Sequence, residues 1–151
     1  MTVRQKWQKT GYTCGAAAVA MILDIPEEQA RKLAGTTRSG THLSGAASAL
    51  RGPGREVHVI NLRRSILLSE IGWALEEQSK RWPLYLSLEF PEKYQGKRRL
   101  VSRTRRHAVV LTEGNLYDPG EFETLNIESL GHLADDEVKI NAYLIVEPTQ
   151  P

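Results

Sequence analysis

Cys14 is the sole cysteine among 151 residues, and it opens an apolar, helix-forming run from Cys14 to Leu23. Gln8 stands six residues before it. Far downstream, His107 leads the strand-like run His107-Ala108-Val109-Val110-Leu111, and Asp118 follows in Tyr117-Asp118-Pro119-Gly120. These side chains have the chemistry of a cysteine nucleophile. A thiol attacks as thiolate, and a free cysteine with a pKa of ~8.5 needs activation. The first turn of a helix supplies unpaired N–H groups and a positive dipole end, both favouring the anion. An imidazole in reach takes the proton, and a carboxylate holds the other ring nitrogen in the right tautomer. His107 and Asp118 are assigned those roles. Attack on an amide builds charge on oxygen. The Cys14 N–H and the Gln8 side-chain amide are the expected donors to it, one such donor being worth ~3 kcal/mol in the barrier. Gly15 is expected to leave room for substrate beside the sulfur.

Each part has an ordinary reading too. A lone cysteine on an alanine-rich helix is also a small buried hydrophobe. Asp118-Pro119-Gly120 also reads as a turn, and Gln8 as an exposed polar residue. Among the other histidines, His42 lies at a helix start, His58 sits mid-strand, and His132 falls in an acidic segment. Only His107 stands at a strand edge with a carboxylate on the next arm. No Cys or His pair has ligand spacing, so neither a metal nor another cofactor is expected.

The elements that must position these residues fall into two halves. Thr13 is the expected N-cap of a helix from Cys14 to about Asp24. A second helix is predicted from Pro26 to before Gly35, and a third from about Thr41 to Arg51, with Leu43, Ala46, Ala47 and Leu50 on one face. Glu56–Asn61 is a strand candidate, followed by a helix near Ser69–Lys80. Leu84–Phe90, Ala108–Glu113, Leu116-Tyr117 and Ala142–Val146 then read as short strands, with Glu113-Gly114-Asn115 as a tight turn. That turn places His107 and Asp118 at the same end of a hairpin. Helices first and an antiparallel sheet afterwards give an α+β architecture. Pro91–Arg105 reads as a long polar excursion.

The length suits one domain, residues 1–151, with a single core. One cysteine excludes an internal disulfide. The N-terminus lacks the apolar core of a signal peptide, and no run approaches the ~18 apolar residues of a membrane helix. A cytoplasmic protein with no membrane span is expected. Net charge is +2 but unevenly spread: Lys97–Arg106 holds six basic residues in ten, and Glu113–Val138 holds eight acidic residues and no Lys or Arg. The plain reading is a solvated hairpin, and the sharper one is a basic rim that attracts an acidic partner. Nucleic acid is disfavoured, because no aromatic residue interleaves the basic run to stack on bases.

Taken together, Gln8 to Leu23, Gly40-Thr41-His42-Leu43 entering a helix, His107-Ala-Val-Val-Leu and Tyr117-Asp118-Pro119 resemble, in order, the C39-like branch of papain-like cysteine peptidases. That branch includes the peptidase domains of bacteriocin-exporting ABC transporters. The resemblance implies a papain-like fold, with N-terminal helices packed on an antiparallel sheet. It also implies Cys14 as nucleophile, His107 as general base, Asp118 as orienting residue and Gln8 as oxyanion donor. Thr13 stands where such peptidases commonly carry Asp, and the chain is expected to be free-standing. The implied activity is hydrolysis of a peptide or isopeptide-like amide in a peptide or protein substrate, through a thioester. The same fold also serves deamidases and transglutaminase-type acyl transferases, and a non-catalytic binding or inhibitor module is the alternative of another class.

Overall fold

The computed structural model describes residues 3–7, 9, 13–89, 106–119 and 137–149. The elements run α1 (Cys14–Leu23), α2 (Glu27–Ala34), α3 (Leu43–Leu50), β1 (Arg55–Leu67), α4 (Leu68–Ser79), β2 (Leu84–Glu89), β3 (Arg106–Thr112), β4 (Asn115–Tyr117) and β5 (Lys139–Pro148). The strands form one antiparallel sheet in the order β1-β5-β2-β3-β4. The predicted α+β architecture is the one observed.

Composition explains the layers. α1 is apolar all round, and Ala16, Ala17, Ala18, Val19, Ala20 and Met21 have no exposure at all. Such a helix must be enclosed rather than lie on a surface. It is wrapped by α2 and α3 and packs on β3. These three helices share a core with one sheet face, including Tyr85, Ala108, Val110, Leu144 and Val146. The opposite face is built from longer side chains: Leu84, Leu86, Leu88, Val109, Leu111 and Ile140 pack with Leu68 and Leu75 of α4.

Caps end the helices where the residues predict. Asp24 and Gly35 adopt left-handed conformations (φ 53° and 64°) after α1 and α2. α3 is shorter than the predicted Thr41–Arg51, because Thr41 and His42 remain outside the helical turn and His42 is its N-cap. β1 exceeds the predicted Glu56–Asn61. Its pairing with β5 breaks after Asn61 and resumes at Ile66, carrying the strand across the polar stretch that hid it. The Pro91–Arg105 excursion lies outside the described residues.

The β3–β4 hairpin closes through Glu113 (φ 52°) and Gly114 (φ 78°), a two-residue turn whose positive φ values match strand twist. α4 holds this turn from behind: Ser79 accepts the Glu113 N–H on its carbonyl (2.9 Å) and the Gly114 N–H on its hydroxyl (3.0 Å). The hairpin that carries His107 is thereby anchored to the opposite layer.

Candidate active site

Thr13 occupies the N-cap position of α1, but its backbone is not extended (φ −106°, ψ 15°) and its side chain makes no capping bond. The Thr13 side chain lies instead close to the buried Glu27 carboxyl. The first-turn N–H groups therefore stay available, and those of Cys14 and Gly15 point to the Cys14 sulfur. A third donor comes from the sheet, the N–H of Ala108 on β3. Helix and strand thus meet at the sulfur, one residue from His107.

Cys14 is half-buried. Burial pushes its thiol up, the three N–H donors pull it down, and burial wins. Burial outweighs the helix N-terminus here, so the first turn alone does not supply the expected activation. Proton removal has to accompany attack.

His107 and Asp118 come together as the hairpin predicts. His107 Nε2 lies 2.5 Å from Asp118 Oδ1, with the histidine 3% and the aspartate 0% exposed. Asp118 follows directly after β4, and the pairing Val110↔Tyr117 puts it beside β3. Nε2 is engaged by the carboxylate, which fixes the orientation of the ring. The candidate oxyanion donor Gln8 lies outside the described residues, as do His132 and the basic residues from Lys97 to Arg105.

A cavity of about 610 Å³ opens at this junction. Cys14 and Gly15 form one wall, Arg38 to Leu43 another, and Arg106, His107 and Ala108 a third. Its floor runs across the sheet through Asn61, Ala142, Ser87 and Ala108, a row of register partners on four strands. Among the described residues, the lining includes Arg38, Arg106, His42 and His107 and no carboxylate.

Gly15 lines the cavity beside Cys14. A Cβ there would lie 2.6 Å from Thr41 Cβ and 2.9 Å from the Tyr85 hydroxyl oxygen. On its Cβ side Gly15 is closed by the approach of the α3 entry and β2.

Two residues escaped the sequence reading. Tyr85 is 3% exposed, and burial pushes its phenol upward, an effect that any negative charge developing on Cys14 adds to. It stays a neutral donor in the cavity wall. The signal was a lone aromatic in Leu84-Tyr85-Leu86-Ser87-Leu88. Gln5 donates from Nε2 to the backbone carbonyl of Asp118 (3.0 Å), tying the N-terminal segment to the imidazole's partner. Nothing in its sequence context marks it.

The remaining histidines separate clearly. His42 is exposed on the cavity rim, and His58 pairs with Glu147 (2.6 Å) near the start of β1, away from the cavity. Glu56, His58 and Glu147 bring ligand atoms within 4.8 Å of one another, a grouping made by cross-strand register and invisible as sequence spacing.

No family model and no curated relative matches the chain. Solved structures do. The peptidase domain of Streptococcus ComA, a bifunctional ABC transporter in a quorum-sensing pathway, matches at 15% identity over 97% of this chain and 98% of that one, with a TM-score of 0.62. A double-glycine-motif protease from an AMS/PCAT transporter, in complex with its leader peptide, matches at 20% identity over 98% and 93%, with a TM-score of 0.65. The Streptococcus mutans ComA peptidase domain bound to a small-molecule inhibitor gives 0.58 at 15% identity over 96% and 99%. The chain has the C39-like, papain-like fold of these domains. No helix among the described residues is long and apolar enough to cross a membrane.

Proposed function

We propose that this protein is a cysteine peptidase that cleaves an amide in a peptide segment laid along the Cys14 cavity. The observation that carries the reading is the buried His107–Asp118 pair, set one residue from the N–H that bonds the Cys14 sulfur. In this mechanism His107 takes the thiol proton as sulfur attacks the carbonyl carbon. Asp118 stabilises the imidazolium, which then protonates the leaving amine. The first-turn N–H groups of α1 and the amide of Gln8 receive the oxyanion. Water, deprotonated by His107, hydrolyses the thioester and frees the thiol.

The upward push of burial on the thiol fits a base-assisted attack rather than a standing ion pair. The fold neighbours, one a double-glycine-motif protease with a leader peptide bound, support a peptide substrate. Arg38 on the cavity wall supports acidic side chains on that peptide, and the whole chain is proposed to work as one cytoplasmic domain. Intact-mass labelling with iodoacetamide at pH 7 tests the central claim. Cys14 should alkylate roughly tenfold or more faster than in His107→Ala, in line with general-base assistance. Equal rates would sink it.

The second reading, a non-catalytic module that holds a peptide, agrees with burial pushing the Cys14 thiol up. A chain of this fold that holds a peptide without cutting it needs no thiolate. A Cys14→Ala chain with its full biological effect intact would establish that reading over the first.

A further inference from the structure

Asn141 interrupts the regular pairing of β5. β2 pairs Ser87 with Ala142 and then Leu88 with Ile140, so Asn141 is skipped; β1 skips it too, passing from Asn61↔Ala142 to Ile66↔Ile140. It is a bulge residue. Strict alternation would turn its side chain away from the face of Ala142, but a bulge places an extra residue and re-aims it, a device found beside active sites. Asn141 accordingly lines the Cys14 cavity together with Ala142.

Its carboxamide oxygen is buried and has no hydrogen-bond partner among the described residues. A buried polar atom left unsatisfied in a native fold calls for an explanation. Of its neighbours on the floor, Ala142 offers no side-chain donor, and Asn61 and Ser87 make no bond to it. We infer that Asn141 is a substrate-binding residue whose side-chain oxygen accepts a main-chain N–H from a peptide lying across the bulge. The inference rests on the peptide-binding reading of the cavity and adds the residue that fixes the peptide's register over the floor. The ligand class follows from the geometry. An acceptor recessed on the floor beside Ala142 selects an extended chain that presents a backbone donor, with little demand on the side chain beside it.

The test reads binding without chemistry. A panel of acetylated pentapeptide amides ending in Gly-Gly is titrated into the Cys14→Ala chain and followed by NMR. The tightest binder is then remade with each backbone nitrogen methylated in turn. One methylation should weaken binding about tenfold beyond the others, the loss of a single hydrogen bond, and that extra penalty should vanish in Cys14→Ala/Asn141→Ala. Asn141→Asp, which keeps the acceptor, should retain the penalty. The inference is overturned by a uniform methylation profile, by an equal penalty in the Asn141→Ala background, or by no binding from any panel member. Iodoacetamide labelling of the otherwise unaltered chain reports separately on the nucleophile, so loss of thiol activation and loss of the Asn141 contact are told apart.

Discussion

The two faces of the sheet are built on opposite plans. Beneath α1–α3 the helices contribute mostly alanines, with Ala16, Ala17, Ala18, Ala20, Ala46 and Ala47 all buried beside Met21, Ile22 and Leu50. Beneath α4 the contacts are leucines, among them Leu84, Leu86, Leu88 and Leu111. Small side chains let backbones approach, and only on that face does a strand N–H reach a helix-borne sulfur. Bulky side chains hold elements apart and fill the gap with apolar area. The leucine face therefore supplies cohesion, while the alanine face spends cohesion on proximity. Both faces are joined at the hairpin turn, where Ser79 of α4 fixes Glu113 and Gly114.

That contrast breaks most sharply at the nucleophile. Cys14→Ala should lower hydrolysis by at least about 10³-fold while stability changes by under about 1 kcal/mol, measured by peptide turnover beside thermal unfolding. Asp118→Asn should lower kcat by roughly 10²–10⁴-fold, because the amide no longer stabilises the imidazolium or enforces its tautomer. Turnover of a quenched peptide checks it, and a loss below about threefold would remove Asp118 from the mechanism.

On the other face, Leu86→Ala should cost about 2–5 kcal/mol in chemical denaturation yet leave turnover per folded molecule unchanged. A selective activity loss there would show that the faces are not separable. Gly15→Ala should affect both properties at once. It should cost about 1–3 kcal/mol, because the new methyl meets Thr41 and Tyr85, and displacing either should also slow turnover.

The mildest test concerns Glu27, whose carboxyl is pushed upward first by burial, against the opposing charge of Lys9. A raised folded-state pKa means its stabilising contribution is present below the ordinary glutamate range and lost as pH rises through the raised value. Melting curves of the unaltered chain and Glu27→Gln should diverge in the variant's favour as pH climbs from mildly acid to neutral. Parallel curves would show that Glu27 titrates as an ordinary surface group.

Much of this was legible in the residues. Helix limits followed from Pro26, Gly35 and the alanine-rich run, since capping and propensity act within a few positions. The His107–Asp118 meeting was readable because a two-residue turn at Glu113-Gly114 leaves antiparallel arms only one register. What proved unreadable came from pairing at long range. β1 was longer than its pattern because β5 resumes pairing at Ile66, and Asn141 looked like an ordinary strand residue until two neighbours skipped it.

By itself the sequence determined which groups exist and which local elements carry them: a single thiol at a helix start, an imidazole at a strand edge, a carboxylate past a tight turn. Tertiary structure alone decided their electrical state and surroundings. The sulfur's burial, the donor from Ala108, the contact of Gly15 with Thr41 and Tyr85, and the aim of Asn141 all depend on segments dozens of residues apart. Desolvation and hydrogen bonding act over a few ångströms in space, and only the folded chain sets those distances.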